Sequence, residues 1–131
     1  GILPYRLMMG TPFAPNAQHK TLVSFWSEAV TVHLQSSLKP KGVLVNLASD
    51  EYSKVIQPKA LQRAILRCSF LEGGSEKPKV VSTYAKLARG KMARYILENG
   101  ITSPNDLKAF QEDGYAFSAR LSNSEHYLFT R

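Results

Sequence analysis

Apolar residues recur at helical spacing in two long segments of the chain. The first pattern predicts a helix that is capped by Asn16, runs to about Leu38 and has Phe25 and Trp26 in a bulky apolar stripe. The second predicts a basic amphipathic helix over residues 82–99. Its stripe facing the core is expected to contain Tyr84, Ala85, Ala88, Met92, Tyr95 and Ile96.

Shorter patterns predict strands between and after these helices. Residues 43–47 form an apolar run that is typical of a strand buried on both faces, and residues 63–71 alternate, with Ala64, Leu66, Cys68 and Phe70 on one face. Residues 79–81 are expected to return beside that strand as a hairpin, and residues 115–121 and 126–131 to form a second one. Cys68, on the apolar face, is predicted to be buried and inert.

The order of these elements predicts an α+β fold. We expect one domain over residues 1–131, with a mixed sheet whose antiparallel hairpins pack against the long Trp-containing helix. The basic helix ends at Asn99-Gly100, and Ser103-Pro104 predicts a second helix over residues 104–111. These two helices are predicted to form a helix-turn-helix-like pair.

Composition narrows the class of protein. A chain of 131 residues with 44% hydrophobic and 21% charged residues is ordinary globular material. A single cysteine excludes an internal disulfide and a cysteine-based zinc site, and His19, His33 and His126 are too isolated to indicate a metal site. No apolar run is long enough for a membrane span, and the first residues lack signal-peptide features. We therefore expect a soluble, intracellular protein with no cofactor, metal or membrane partner, while its oligomeric state stays open.

Positive charge is concentrated in one part of the chain. Between Lys54 and Arg94 there are ten basic and two acidic residues, which gives this segment a net charge of +8. The whole chain has a net charge of +7, so the residues outside the segment carry a net charge of −1. This asymmetry favours a basic surface directed at a polyanion. A nucleic acid, in particular DNA bound through its phosphates, is the partner that it predicts.

The second helix offers a specific place for such contacts. Gly90 and Ala93 lie on its polar side, flanked by Lys86, Arg89 and Arg94. A glycine inside a helix costs about 1 kcal/mol relative to alanine, and one reason to keep it is the close approach of a ligand. Lys91, Lys79 and Arg67 are expected to add charge to this surface. The alternative is that Gly90 and Ala93 admit another helix, with the cations merely solvated.

A polar cluster follows the first predicted strand. Asn46, Ser49, Glu51 and Tyr52 are placed where a buried strand stops, and together with Arg6 they are candidates for a binding pocket. Such a pocket would favour an enzyme that acts on a nucleotide or nucleic acid. The alternative is that Ser49 caps a short helix whose positive end is stabilised by the acidic residues that follow. Because no known catalytic motif is present, the enzyme hypothesis is the weaker of the two functions.

Several of these motifs, in this order, resemble one family. They are Pro4-Tyr5-Arg6-Leu7 with Met9-Gly10, Phe25-Trp26, Asn46-Leu47-Ala48-Ser49 with Glu51-Tyr52, Ala85-Lys86 with Ala88-Arg89-Gly90, Met92-Ala93-Arg94, Gly114-Tyr115, and Phe129 with Arg131. Together they resemble the YaaA peroxide-stress protein family, of which this chain matches the C-terminal portion. Met8 departs from the pattern, which has an acidic residue there.

The resemblance implies functions that the residue patterns do not. It implies a cytoplasmic protein that protects cells against hydrogen peroxide and is linked to limiting free iron and to DNA binding. No catalytic activity is implied.

Overall fold

The computed structural model describes residues 21–74 and 76–131, which form two compact units. The described part of the helical unit comprises residues 21–42 and 48–63, and the sheet unit comprises residues 43–47 and 64–131. The α+β class and the mixed sheet predicted from the sequence are both confirmed. The packing of the Trp-containing helix on the sheet stays a prediction, because it concerns the relation between the units.

Three helices form the described part of the helical unit: α1 (Leu22–Ser37), α2 (Asp50–Ser53) and α3 (Pro58–Leu61). Thr21 caps α1, since its hydroxyl accepts from the backbone N–H of Ser24 at 3.2 Å. The predicted cap was therefore wrong; Asn16 lies outside the described residues. The predicted end near Leu38 is confirmed.

The buried residues of α1 are Ser27 and Thr31 rather than members of the apolar stripe. Ser27 donates to the Val23 carbonyl oxygen at 2.6 Å, and the Thr31 hydroxyl accepts from the Gln57 backbone N–H at 3.0 Å. These bonds satisfy the hydroxyls, so this side of the helix can be covered at little cost. Trp26 is 48% exposed, so the prediction that it lies in the core is wrong for the described chain.

The sheet unit contains β1 (Val43–Asn46), β2 (Ala64–Leu71), α4 (Ser82–Glu98), a 3₁₀ helix (Pro104–Ala109), β3 (Ala116–Phe117) and β4 (His126–Thr130). The strand order is β1-β2-β4-β3, with β2 parallel to both neighbours and β3 antiparallel to β4. The terminal hairpin is thus confirmed with a short first strand. β1 is half-buried and lies at one end of the four described strands, which corrects the expectation of burial on both faces.

The predicted hairpin on β2 is wrong. Residues 79–81 form no strand, and only a single antiparallel bridge joins Glu72 to Lys79. Both edges of β2 are occupied by β1 and β4, so a returning strand has no free edge to pair with. The segment can pair only beyond the end of β2.

The turn after α4 matches the sequence expectation, but the helix after it does not. Gly100 adopts a left-handed conformation (φ 55°), and the Ile101 N–H bonds to the Ile96 carbonyl oxygen at 3.0 Å, which closes the helix in a Schellman motif. The second helix is a 3₁₀ helix that ends at Ala109. Leu107 and Phe110 are both fully buried, and a period of three residues per turn places them on the same side. The helix-turn-helix-like pair is therefore an α-helix followed by a short 3₁₀ helix.

The core of the sheet unit lies between β2, β4, α4 and the 3₁₀ helix. Phe70 stacks on Phe129 with ring centroids 5.2 Å apart, and Phe110 meets both rings edge to face. From α4, Ala88 and Met92 pack into this cluster, while Tyr95 and Ile96 are partly buried against it. Cys68 is buried in the same core, and burial raises the pKa of its thiol to about 12, which confirms the predicted buried thiol.

We expect Met92→Ala to lower the free energy of unfolding by about 2–5 kcal/mol, because it leaves a cavity at a fully buried position. Leu97→Ala is the matched control on the same helix, since Leu97 is 82% exposed and its truncation should change stability by less than about 0.5 kcal/mol. Urea denaturation followed by circular dichroism measures both. Equal effects of the two substitutions would contradict this placement of α4.

Candidate functional site

Three predicted site residues lie in line along the exposed face of α4. Lys86, Gly90 and Arg94 follow one another at intervals of four residues, the spacing at which side chains stack along one side of a helix. All three are exposed, and a methyl group added at Gly90 would meet no atom within 4 Å apart from its chain neighbours and the local helix backbone. An open strip of backbone therefore lies between two cations. We call these three residues the Lys86–Arg94 ridge.

The other two cations of α4 lie beside the ridge. Arg89 and Lys91 are each one position from Gly90, and therefore about 100° around the helix on either side. Both are half-buried, and Lys91 forms an ion pair with Asp113. The hydrogen bond from Lys91 holds the pKa of the Asp113 carboxyl below its usual value. The helix predicted from the sequence is present, but its cations do not share one surface equally, and their role in binding stays a prediction.

The exposed face of α4 also presents apolar side chains. Leu87 is 60% and Leu97 is 82% exposed, and both lie on the side of the helix that faces away from the sheet. Tyr84, which was predicted to face the core, is 48% exposed at the edge of the buried stripe. This mixture of cations and apolar groups bears on both hypotheses, phosphate binding and contact with another helix.

Two supporting cations lie away from the ridge. Arg67 alternates along β2 with Leu66 and Cys68, which share a core cluster with the buried residues of α4. Its side chain is therefore on the opposite face of the sheet, in register with Asn46 of β1 and His126 of β4. Lys79 is exposed at the bridge to Glu72.

The predicted pocket is divided among different parts of the chain. Arg6 lies outside the described residues, and Asn46 ends β1 in the sheet unit. Ser49, Glu51 and Tyr52 belong to the helical unit, where Ser49 precedes α2 without making a side-chain capping bond. The capping alternative is therefore right that Ser49 occupies the N-cap position of α2, but its hydroxyl does not make the capping hydrogen bond. The pocket itself stays a prediction.

A cavity of about 500 Å³ is present in the helical unit. α1 contributes most of its wall, and Gln57 and Ala60 contribute the rest. None of the predicted site residues lines it.

The sequence patterns did not reveal a charged network at the end of the sheet. The Nε–H of Arg131 donates to both carboxylate oxygens of Glu72, at 3.0 and 2.8 Å, and Nη1 donates to the Asp113 backbone carbonyl oxygen at 2.9 Å. The Tyr115 hydroxyl also donates to Glu72. The Arg131 guanidinium lies over two rings, with its Cζ 5.0 Å from the Tyr84 centroid and 4.5 Å from the Tyr115 centroid.

These contacts shift the pKa values of the network in consistent directions. The hydrogen bonds from Arg131 and then from Tyr115 lower the pKa of Glu72, and the bond to Glu72 raises the pKa of Arg131. Burial, followed by the hydrogen bond to Glu72, raises the pKa of Tyr115 to about 12. The network is thus a fixed ion pair whose charges persist at neutral pH. Gly114-Tyr115 and Arg131 were visible in the sequence as family motifs, but nothing in the pattern joined them to Glu72.

Within residues 21–74 and 76–131 there is no group of three or more histidine, cysteine, aspartate or glutamate side chains that could hold a metal ion. None of the helices in this same part of the chain is both long enough and apolar enough to span a membrane.

Comparison with known proteins agrees with the motifs. The sequence profile of the peroxide stress protein YaaA matches residues 1–121. The chain belongs to the YaaA peroxide-stress protein family.

Curated relatives extend the match along the chain. A UPF0246 protein from Ralstonia pickettii is 48% identical over 98% of this chain, and one from Paraburkholderia phytofirmans is 47% identical over 98% of it. A third UPF0246 protein, from Burkholderia orbicola, is 45% identical over the same share. In each case the match covers 50% of the relative, so the chain spans about half the length of these curated relatives.

We expect Glu72→Gln to remove part of the pH dependence of stability. The pKa of Glu72 is lower in the folded protein than its ordinary value of 4.5. Its contribution is therefore complete above about pH 4.5 and disappears as the pH falls through the folded pKa. Urea midpoints measured between neutral and acidic pH should fall less steeply below pH 4.5 in the variant than in the parent.

Glu98→Gln, which removes the same charge from an exposed position at the end of α4, is the control for this experiment. If it flattens the acidic limb as much as Glu72→Gln, the effect is one of net charge and not of the network.

Proposed function

We propose that this YaaA-family chain acts in the response to peroxide stress and binds nucleic acid through the phosphates, with the Lys86–Arg94 ridge as its main contact. The observation that carries the proposal is the open strip of helix backbone at Gly90 between two exposed cations. A phosphate group can approach such a surface closely, because no side chain separates it from the helix. The peroxide-stress role follows from the family to which the chain belongs.

The dimensions of the ridge suit a phosphate backbone. Lys86 and Arg94 are eight residues apart, which corresponds to about 12 Å along the helix axis. Their long side chains can therefore reach phosphates that are not adjacent, while the space at Gly90 accommodates the sugar-phosphate chain between them. Arg89 adds charge beside the ridge. The contacts are directed at phosphates, so we expect little sequence preference.

We expect the double substitution Lys86→Ala/Arg94→Ala to weaken binding to DNA of different sequences alike. Each of the two cations releases about one counterion when it binds a phosphate, so without them the slope of log affinity against log salt should become shallower by about 2. Fluorescence anisotropy at several salt concentrations measures this slope.

The matched control is Lys54→Ala/Lys59→Ala, which removes two exposed positive charges from the helical unit. It should leave the salt slope close to that of the parent. An unchanged slope in Lys86→Ala/Arg94→Ala, or a parent protein without salt-sensitive binding, would contradict the proposal.

Gly90 allows stability and binding to be separated. Gly90→Ala should raise the free energy of unfolding by about 1 kcal/mol, since alanine favours the helix and the space at this position is open. Gly90→Leu should also fold normally but weaken DNA binding, because its side chain fills the strip between the cations. The measurements are urea denaturation and anisotropy with the same duplex. If Gly90→Leu binds DNA as well as the parent, close approach to the backbone is not part of the contact.

The alternative function is contact with another protein through the same face of α4. The exposure of Leu87 and Leu97 favours it, because two leucines on the side of a helix that faces away from the core can bury apolar area against a partner. Leu87→Ser/Leu97→Ser should leave nucleic-acid binding unchanged if the ridge is the contact. Weaker binding in that variant, with the salt slope retained, would favour an interface that depends on apolar burial.

A further inference from the structure

A serine and a histidine lie side by side on the face of the sheet that is turned away from α4. Oγ of Ser69 in β2 and Nε2 of His126 at the start of β4 are 2.7 Å apart, which is a hydrogen-bonding distance. Their neighbours Cys68 and Tyr127 are in register with each other and belong to the core on the α4 side. Ser69 and His126 therefore lie on the other face, where both are half-buried.

The backbone of His126 is held on both sides by one residue. Oδ1 of Asn123 accepts from the His126 N–H at 2.9 Å, and the Asn123 N–H donates to the His126 carbonyl oxygen at 3.0 Å. The Arg67 N–H donates to the Glu125 carbonyl oxygen at 2.9 Å, which ties the residue before the histidine to β2. The imidazole is thus presented to Ser69 from a backbone that hydrogen bonds keep in place, as a catalytic group requires.

The residues around this pair supply a positive charge and apolar surface. Arg67 is in register with His126 and two positions before Ser69 in β2, so that it is a neighbour of both on the same face. Leu128 is in register with Ser69 and is half-buried. A cation stabilises negative charge that develops on a reacting oxygen, and an apolar neighbour suits a hydrocarbon group. These surroundings therefore fit an acyl group whose carbonyl oxygen becomes negative during reaction.

A hydroxyl that donates to an imidazole nitrogen is the arrangement of an activated serine. A free serine hydroxyl is a weak nucleophile, and a base at about 2.6–3.2 Å removes its proton as the oxygen attacks. In the tautomer whose Nε2 carries no hydrogen, His126 accepts from Ser69 and is placed to act as this base. The two residues are 57 positions apart in the chain, so no local motif connects them.

We propose that Ser69 is a nucleophile activated by His126 and that the pair hydrolyses a carboxylic ester. Ser69 Oγ bonds to the carbonyl carbon while its proton passes to His126 Nε2, and Arg67 stabilises the negative charge of the tetrahedral intermediate. The intermediate expels the alcohol, which takes the proton from His126 and leaves an acyl-serine. Water then gives a proton to His126 and attacks the acyl carbon, and that proton returns to Ser69 as the acid is released.

The test uses the full chain and a fluorophosphonate probe. Oγ of an activated serine displaces fluoride from the phosphorus of this probe, its proton passes to the base, and a stable phosphonyl-serine is left. We expect one equivalent of label on the peptide that contains Ser69, measured by mass spectrometry. Ser69→Ala should abolish the label. His126→Gln should slow labelling by roughly 100-fold or more, because glutamine cannot act as the base.

The helix α1 offers a matched control, since its Ser36 also forms a hydrogen bond with a histidine. Oγ of Ser36 donates to the His33 backbone carbonyl oxygen at 2.9 Å, so this bond does not involve the imidazole. His33→Gln should therefore leave the labelling rate unchanged. Lys86→Ala/Arg94→Ala should leave it unchanged as well, because the ridge takes no part in this reaction. Nucleic-acid binding and ester hydrolysis can thus fail separately.

Hydrolysis of p-nitrophenyl butyrate tests the ester as the substrate class. The parent should release p-nitrophenolate roughly 100-fold faster than Ser69→Ala, which has lost the nucleophile. Arg67→Gln should hydrolyse the ester at a rate between these two, since it removes the positive charge but keeps the serine and its base. Absorbance of p-nitrophenolate measures all three rates.

The parent protein alone can overturn the proposal. If Ser69 is not labelled, or if the label lies on another residue, the serine is not activated, whether or not the variants fold. Equal labelling rates in His126→Gln and the parent would rule out the histidine as the base. A labelled Ser69 without hydrolysis of the ester would overturn the ester as the substrate.

Discussion

The sheet unit depends on β2 having a parallel neighbour on each side. A central strand uses its backbone hydrogen-bonding groups on both edges, so that β1 and β4 leave no room for a third partner. This explains why the chain after β2 pairs only at Glu72 and Lys79 before it enters α4. The register with β4 has a second effect. Because Leu71 is paired with Thr130, the next residues on the two parallel strands, Glu72 and Arg131, emerge side by side.

The same strand presents its apolar side chains to the core on one face of the sheet only. Leu66, Cys68 and Phe70 form one face, against which α4 packs with Ala88 and Met92. An alanine at the contact lets the helix backbone lie close to the sheet, and the larger methionine fills the space beside it. Among the described residues, the outward side of α4 is exposed and takes no part in the core, so a glycine and cations can be accommodated there at a modest cost in stability.

Local patterns in the sequence were sufficient for the elements that depend on local interactions. Alternation located β2, helical periodicity located α4, and Asn99-Gly100 located the end of that helix. The partners of β2 could not be predicted in this way, since its pairing with β1 and β4 depends on residues far away in the chain. For the same reason the ion pair between Glu72 and Arg131, 59 residues apart, was not visible. The apolar stripe of α1 indicated which side is hydrophobic, but not that Ser27 and Thr31 are the residues covered in the helical unit.

The burial of Cys68 bears on the proposed role of this chain in the response to peroxide stress. Hydrogen peroxide oxidises the thiolate form of cysteine, and redox-sensing cysteines are accessible and ionise readily. Cys68 is the one cysteine of the chain, lies within the aromatic core, and has a pKa of about 12, so it is almost entirely a thiol at physiological pH. The residues of this chain therefore do not include a thiol suited to detecting peroxide.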